Sequence, residues 1–218
     1  MKNINEKICE SLVIKIGEKM KTAILLNSDE IGVVTEKNVI CADGGYRYAE
    51  GKNVIAVVGD FDSLISKPEN VNTIQFPSEK NMTDGELAIR YAAEKGIKDI
   101  VIYGATGGRL DHVLGNISLL KLAHNLGVKA KISSPKFSIY YSDSLLSLET
   151  QKDCIVSIFA YGGEAVVEYA KGLYYPLDNL LLDSFCTRGI SNKTVAEKAE
   201  IKVKSGEIIV FYYDKISE

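Results

Sequence analysis

The chain has 218 residues, of which 46% are hydrophobic and 25% are charged. These proportions are ordinary for a globular protein, and they exclude a disordered, collagen-like or low-complexity chain. The 26 Lys and Arg residues are outnumbered by 29 Asp and Glu residues, so the net charge is −3. Sequence-independent affinity for nucleic acid depends on a basic excess that this chain lacks. We therefore expect a folded, soluble protein that does not bind nucleic acid.

Neither a membrane span nor a secretory signal is indicated by the sequence. The longest apolar runs, such as residues 54–58 and 100–103, are far shorter than the roughly 20 residues of a membrane-spanning helix. Glu10 and Lys15 interrupt the apolar stretch 8–16, which is unlike a secretory signal. The four cysteines are scattered without a C-x-x-C pair, and we expect them to be reduced. These features predict a cytoplasmic protein without membrane contact.

Residues 1–19 precede the first strand-like run and are interpreted as an N-terminal extension. After them, apolar runs of strand length alternate with helical patterns, which is typical of a parallel sheet flanked by helices. Helices are expected over residues 83–95 and from Gly108 to Gly127. The expected strands are 22–26, 39–42, 55–58, 73–76, 100–103 and 129–132. We predict a Rossmann-like α/β domain with a mainly parallel sheet over residues 20–134.

Beyond about Pro135 the pattern changes to short strand-like pieces separated by turn signals, without a helical period. Such a pattern is typical of a small antiparallel β-sandwich. The expected strands are 138–141, 144–148, 154–160, 165–169, 200–203 and 208–213. We predict an all-β sandwich C-terminal domain over residues 135–218, with the boundary near residues 133–136.

Four aspartates follow the predicted strands of the first half: Asp43, Asp60, Asp62 and Asp84. In an open α/β sheet the carboxyl ends of the strands meet at one edge, where ligands bind. Four carboxylates at that edge repel one another unless a cation neutralises them. Oxygen ligands suit Mg²⁺, which usually binds together with phosphate groups. Because no paired Cys or His lies nearby, zinc is not expected.

Glycine-rich turns accompany these carboxylates. Gly44, Gly45, Gly107 and Gly108 leave backbone N–H groups open at predicted helix N-termini, where anions are favoured. Arg109 follows directly and can pair with two phosphate oxygens. Lys80 can supply a further positive charge. The combined pattern favours a site for Mg²⁺ and a nucleotide.

Each of these features also has an ordinary structural interpretation. Asp43 can cap the helix expected from Gly44, and residues 83–86 have the form of a capping box. Either Asp60 or Asp62 can simply face solvent, because they alternate around Phe61. Arg109 and Asp111 can form a surface ion pair, and His112 can be packed among its apolar neighbours. The residues alone leave these alternatives open.

Six segments stand in the order and spacing of the thiamin pyrophosphokinase family. They are residues 42–45 (ADGG), 59–63 (GDFDS), 76–84 (FPSEKNMTD), 104–112 (GATGGRLDH), 172–177 (GLYYPL) and 188–192 (RGISN). Each motif alone is weak, whereas the ordered set is highly specific. The chain resembles this family over about residues 21–213, and its second half is similar to the family's thiamin-binding domain.

The resemblance implies an enzyme, a thiamin diphosphokinase, that transfers a diphosphoryl group from ATP to the hydroxyl group of thiamin. The products would be thiamin diphosphate and AMP, with Mg²⁺ as the cofactor. Residues 20–134 would be the catalytic domain that binds ATP and Mg²⁺, and residues 135–218 the domain that binds thiamin. The family also implies a homodimer with shared active sites, in which one chain offers ATP and Mg²⁺ to thiamin held by the other.

The same resemblance implies roles for single residues. The implied metal ligands are Asp43, Asp60, Asp62 and Asp84. The implied catalytic residues are Asp62, Asp84 and Arg109, with either aspartate as the group that orients or deprotonates the thiamin hydroxyl. ATP and its phosphates would bind at Asp43, Gly44, Gly45, Lys80, Thr83, Gly107, Gly108, Arg109, Asp111 and His112. Thiamin would bind at Tyr175, Arg188, Ser191 and Asn192.

Three positions depart from the family pattern. Asn81 stands where relatives often have Asp, which removes one carboxylate. Tyr175 stands where some relatives have Trp, and this chain has no Trp, although a tyrosine ring can also face a cationic ring. Thr187 lies in a segment that is rich in serine in the family. Another Mg-dependent nucleotide transferase and a thiamin-binding protein without activity are the alternatives to the expected enzyme.

Overall fold

The computed structural model describes residues 21–61, 71–76, 81–183 and 187–214. The extension expected at residues 1–19, Asp62 and Lys80 lie outside the described residues, so their roles stay predictions. Within these ranges, no helix combines the length and the apolar character required to cross a membrane.

The first half of the chain alternates strands with helices. In order, its elements are β1 (Thr22–Leu25), β2 (Asn38–Ala42), a 3₁₀ helix (Asp43–Tyr48), β3 (Asn53–Gly59), β4 (Thr73–Gln75), α1 (Asp84–Glu94), β5 (Asp99–Tyr103), α2 (Leu110–Asn125) and β6 (Lys129–Ser133). Successive side chains of a strand point to opposite faces. Accordingly, Ile24 packs in the core that contains both α-helices, whereas Leu25 packs on the other face of the sheet.

The described residues of the second half form strands and turns. Its strands are β7 (Phe137–Ser142), β8 (Leu145–Glu149), β9 (Ile155–Ala160), β10 (Ala165–Lys171), β11 (Leu180–Leu182), β12 (Asn192–Lys193), β13 (Lys198–Ser205) and β14 (Ile208–Tyr213). The sequence pattern does not reveal β11 and β12, because three and two residues are too few for a periodic signal.

The strands belong to two sheets. One has ten strands in the order β12-β9-β14-β7-β6-β5-β1-β2-β3-β4, and the other has four in the order β11-β10-β13-β8. The pairs from β6 through β4 are parallel. The pairs from β6 through β12 are antiparallel. The larger sheet is therefore mixed, and it contains strands from both halves of the chain.

The predicted fold class is wrong for this reason. The parallel strands do not form a separate Rossmann-like domain followed by a separate sandwich, because β7, β9, β12 and β14 continue the same sheet. A short turn, closed by the hydrogen bond from Ser134 N to Phe137 O at 2.9 Å, returns β7 alongside β6. This pairing, with Ile132 opposite Ile139, covers an edge strand that would otherwise be exposed.

The described residues form three hydrophobic clusters that pack the two sheets and the helices together. The first packs α1 and α2 on the parallel strands and includes Ile139 and Ile209 from the second half. The second lies between the two sheets, with Ile158 and Val210 from the large sheet and Ile201 from the small one. The third lies on the far face of β1, β2, β3 and β5. Because the first cluster extends past residue 134, the division of the chain into domains there remains a prediction.

Candidate active site

Two adjoining cavities lie at the carboxyl ends of β1, β2 and β5. The acidic cavity, of about 660 Å³, is lined by residues that include Asp43, Asp84, Glu86 and Asp111. The glycine-loop cavity, of about 350 Å³, is lined by residues that include Arg47, Gly107, Gly108 and Arg109. Asn27, His112 and Asn116 line both cavities. Carboxylates and cationic groups therefore lie in one groove at the carboxyl edge of the sheet, where the sequence predicts ligand binding.

Asp43 is the most unusual residue of the groove. It begins the 3₁₀ helix with a φ of 43°, a left-handed conformation that is uncommon outside glycine. Asp43 is only 5% exposed. Among the described side chains, its Oδ1 is the single buried nitrogen or oxygen without a hydrogen-bond partner. Burial of such an atom is unfavourable, and no side-chain hydrogen bond caps the 3₁₀ helix, so Asp43 fits a ligand better than a cap.

Thr83, and not Asp84, caps α1. The Thr83 Oγ1 accepts a hydrogen bond from the N–H of Glu86 at 3.2 Å. The described residues show no reciprocal bond of a capping box, and Glu86 Oε1 accepts from Arg90 NH2 at 2.8 Å. Asp84 occupies the first turn of the helix, half-buried at the wall of the acidic cavity. The capping alternative thus applies to Thr83 and leaves Asp84 facing the same cavity as Asp43.

The four predicted metal ligands are not assembled by the described residues. Asp43 and Asp84 share the acidic cavity, whereas Asp60 is half-buried just after β3 and does not line it. Asp62 lies outside the described ranges. In the part of the chain that the structure describes, no three His, Cys, Asp or Glu residues are grouped as metal ligands. The unpartnered Asp43 oxygen and the purely oxygen-based donors still fit a hard cation such as Mg²⁺.

The glycine turns serve two different purposes. At Gly45 an added Cβ would lie 2.1 Å from the carbonyl oxygen of Leu25, so this glycine is required by close packing against β1. Gly107 adopts a φ of 98° and lines the glycine-loop cavity. The loop is held from two sides, since Ser28 Oγ donates to Thr106 O at 2.8 Å and Asn116 Nδ2 donates to Ala105 O at 3.0 Å.

Arg109 and Asp111 form the surface ion pair that was one of the alternatives. Arg109 NH2 lies 2.5 Å from Asp111 Oδ2, and the side chains are 74% and 61% exposed. The hydrogen bond from Arg109 lowers the pKa of the Asp111 carboxyl group. His112 is exposed and lines both cavities, so the packed alternative is wrong for it. Solvent exposure leaves Arg109 able to exchange Asp111 for a ligand oxygen.

Several residues of the groove are missed by the sequence patterns, among them Asn27, Arg47 and Asn116. Arg47 lies in the last turn of the 3₁₀ helix that Asp43 begins, and its NH2 donates to Asp29 Oδ1 at 3.0 Å. Its guanidinium carbon lies 4.7 Å from the ring centroid of Tyr48. Asn27 follows β1 closely, so the same rule that selects polar residues after strands would have identified it. For Arg47 no sequence signal is available, because its place in the groove depends on the 3₁₀ helix that follows β2.

Comparisons with known proteins agree with this geometry. The family described as thiamin pyrophosphokinase, catalytic domain, matches residues 33–132. The thiamine pyrophosphokinase of Bacillus subtilis (strain 168) is 29% identical over 164 residues, covering 72% of this chain and 77% of the relative. The chain is therefore similar to the thiamin pyrophosphokinases, as its motifs predict. The residues expected to bind ATP and metal all lie within the matched catalytic domain.

Solved structures of the thiamin pyrophosphokinase family share the fold. The thiamine pyrophosphokinase from Bacillus subtilis has a TM-score of 0.79 at 24% identity, covering 90% of this chain and 100% of its own. A family protein from Enterococcus faecalis has a TM-score of 0.72 at 25% identity, covering 89% and 98%. The predicted resemblance to thiamin pyrophosphokinases, and with it the prediction of an enzyme, is confirmed.

The four residues for which the thiamin pyrophosphokinase resemblance implies thiamin binding lie outside the matched catalytic domain. Tyr175 is 56% exposed and belongs to the aromatic segment, residues 172–175. Arg188 and Ser191 are also exposed, whereas Asn192 is only 3% exposed. None of these four residues lines the acidic or the glycine-loop cavity. The described residues of a single chain therefore do not bring the two predicted substrate sites together.

Proposed function

We propose that the chain transfers a diphosphoryl group from ATP to the hydroxyl group of thiamin, giving thiamin diphosphate and AMP. The observation that carries this proposal is the groove itself. A buried carboxylate oxygen without a partner adjoins a glycine loop and two arginines, Arg47 and Arg109, in a chain that is similar to the thiamin pyrophosphokinases. Such an arrangement suits a metal-bound triphosphate.

In this proposal, Asp43 and Asp84 hold Mg²⁺ from the acidic cavity, and Asp60 and Asp62 complete its ligands. Their oxygen donors match the preference of a hard cation. When bound, the metal ion supplies positive charge next to the phosphates of ATP. Asp43 contributes most clearly, because its oxygen is already buried and lacks a competing donor.

The cationic side of the groove binds the phosphates. We assign Arg109, Arg47 and Lys80 to the phosphate oxygens, together with the backbone at Gly44, Gly45, Gly107 and Gly108. Thr83, Asp111 and His112 complete the ATP site. Arg109 exchanges its contact with Asp111 for a phosphate oxygen, which is a small cost for an exposed ion pair. These groups position the triphosphate and stabilise the charge that develops on it.

The reaction is a single displacement at the β-phosphorus. The hydroxyl oxygen of thiamin forms a bond to that phosphorus, and the bond from it to the oxygen shared with the α-phosphorus breaks. The departing oxygen carries the negative charge away as part of AMP. The hydroxyl proton goes to a carboxylate, for which Asp84 and Asp62 are the candidates.

We further propose that thiamin binds in a site built by Tyr175, Arg188, Ser191 and Asn192, and that the enzyme is a homodimer with shared active sites. The separation of these residues from both cavities supports the shared site. Exposed apolar side chains of α2 also support it, because Leu110 is 84% exposed and Leu114 is 67% exposed next to the groove. Buried free thiols at Cys41 and Cys154 support a reducing, cytoplasmic location.

The product of ATP tests this proposal. The protein is incubated with ATP, Mg²⁺ and thiamin, and the nucleotides are separated by chromatography. We expect AMP to appear in step with thiamin diphosphate, without accumulation of thiamin monophosphate, and chelation of the metal to stop both. Stoichiometric ADP would favour another phosphotransferase, and thiamin binding without any nucleotide product would favour a protein that only binds thiamin.

A further inference from the structure

The side chain of Asn192 is committed to the backbone of the aromatic segment. Its Oδ1 accepts hydrogen bonds from Tyr175 N at 2.9 Å and from Lys193 N at 2.8 Å. Its Nδ2 donates to Tyr175 O at 2.9 Å. A carboxamide oxygen has two lone pairs, so its acceptor capacity is fully used. Asn192 is also only 3% exposed, which leaves little of it for contact with a ligand.

The aromatic segment is fixed along its length to the chain around β12. Tyr174 N donates to Lys193 O at 2.8 Å, and Val195 N donates to Gly172 O at 2.9 Å. Thr194, which forms an isolated bridge with Leu173, is fully buried and accepts from Cys154 N at 2.9 Å. The backbone of residues 172–175 is therefore attached to the protein interior, and Asn192 supplies both bonds at its Tyr175 end.

The rings of this segment are exposed although their backbone is fixed. Tyr174 is 65% exposed and Tyr175 is 56% exposed. Their ring centroids are 4.9 Å apart and their planes meet at 88°. Since the rings have little packing to hold them, their direction depends on the Cα–Cβ bonds, which are set by the backbone. The two rings present an open aromatic corner that suits a flat cationic ligand.

We infer that Asn192 is a positioning residue, which clamps the backbone of Tyr175 so that Tyr174 and Tyr175 form an aromatic corner for a flat cation. This inference rests on the proposed function where it takes that cation to be thiamin. Asn192 acts on the ligand through Tyr175 and does not touch it. Tyr174 joins Tyr175 as a residue that determines specificity, because the corner requires both rings.

A fluorescent reporter can test the clamp without any ligand. The chain has no tryptophan, so Tyr175→Trp creates a single reporter at the corner. In this protein, Asn192→Ala removes all three hydrogen bonds, whereas Asn192→Asp keeps the acceptors and loses the donor to the carbonyl of residue 175. Asn53→Ala is the matched control, because the Asn53 amide donates to Asn38 Oδ1 at 2.6 Å at the start of β3.

The expected result is a fall in the fluorescence anisotropy of the reporter with Asn192→Ala, a smaller fall with Asn192→Asp, and no change with Asn53→Ala. Unchanged anisotropy in Asn192→Ala would overturn the inference. If circular dichroism shows that Asn192→Ala does not fold, the aspartate variant decides. As the pH falls, the carboxyl group of the Asn192→Asp variant becomes protonated and regains a hydrogen-bond donor. The anisotropy of this variant should then rise towards that of the reporter protein that retains Asn192. Both proteins are measured over the same pH range. Absence of this rise would also overturn the inference.

A titration with thiamin is the second experiment. In a titration of the reporter with thiamin, Asn192→Ala is expected to raise the Kd about tenfold, with Asn192→Asp between it and the parent. The kcat at saturating thiamin and the KM for ATP stay within about twofold. A raised Kd with unchanged anisotropy would make Asn192 a direct ligand and contradict the clamp. If the parent protein itself does not bind thiamin, the proposed function fails, and the anisotropy still decides the role of Asn192.

Discussion

The acidic cavity and the aromatic segment differ in whether their buried polar side chain has hydrogen-bond partners. In the cavity, a buried carboxylate oxygen of Asp43 has no partner. In the segment, the buried carboxamide of Asn192 has both oxygen lone pairs and one N–H engaged, and the exposed surface consists of the rings of Tyr174 and Tyr175. We therefore expect the first region to bind a charged group of a ligand and the second to bind the face of a flat ring.

The largest effect is expected from the cavity. Asp43→Asn removes the charge of the unpartnered carboxylate and should lower kcat by about 10²-fold or more, a loss typical for a group that acts on a catalytic metal. The Tm should not fall, because the substitution relieves the burial of an unpaired charge. Asp153→Asn is the control, since that aspartate also has a left-handed φ, of 66°, but is exposed and lines neither cavity. An Asp43→Asn protein with normal kcat, or with a strongly lowered Tm, would make Asp43 a structural residue.

Mixing two variants tests whether the two regions belong to different subunits. One partner is Asp43→Asn and the other carries Tyr174→Ala with Tyr175→Ala, and the mixture is assayed at a low thiamin concentration at which the second parent is inactive. If the active site is shared, half of the exchanged dimers contain one intact site, so activity should return to about a quarter of that of the unmodified enzyme. Subunit exchange is verified with differently tagged chains. Exchange without recovery, from two inactive parents, would show that each chain builds its own site.

A smaller effect is expected at the aromatic segment alone. Tyr175→Ala should raise the KM for thiamin by roughly 2- to 30-fold, corresponding to about 0.5–2 kcal/mol of cation–π interaction. The KM for ATP should change much less, and Tyr175→Trp should be tolerated. Steady-state kinetics with each substrate varied in turn measures both. Equal changes in the two KM values would remove the distinction between the regions.

The smallest effect is expected at Gly115, on the wall of the acidic cavity. An added Cβ there meets no atom within 4 Å, and Gly115 lies inside α2. Gly115→Ala should therefore stabilise the protein by about 0.5–1 kcal/mol through helix propensity. Thermal denaturation measures this change. A lowered Tm would mean that other atoms occupy the space next to Gly115 in solution.

Local patterns predict the elements of this fold well and their assembly poorly. The strands expected from the apolar pattern are present within two residues at each end. The wrong fold class arose because a strand's own sequence does not specify its neighbour. Strand β7 pairs with β6, and Ile139 and Ile209 enter the core beneath α2. Partner choice depends on which edge is left uncovered, which is a property of the assembled sheet.

The candidate site shows a similar limit. Residues that follow strands directly, such as Asp43, are found by position alone, whereas Arg47 reaches the groove only because a 3₁₀ helix turns it back. Asn192 is a motif residue that the sequence associates with a ligand but whose hydrogen bonds go to the backbone. Its polarity and motif suggest a ligand contact, but a carboxamide satisfies backbone groups equally well, and burial decides between the two roles.

Label transfer tests the central claim most directly. The reaction is run with thiamin, Mg²⁺ and ATP that carries radioactive phosphorus at either the β or the γ position, and thiamin diphosphate is isolated. The account predicts that both labels enter thiamin diphosphate to the same extent and that AMP is unlabelled. A product that receives only the γ label would contradict diphosphoryl transfer and the placement of the β-phosphorus at this groove.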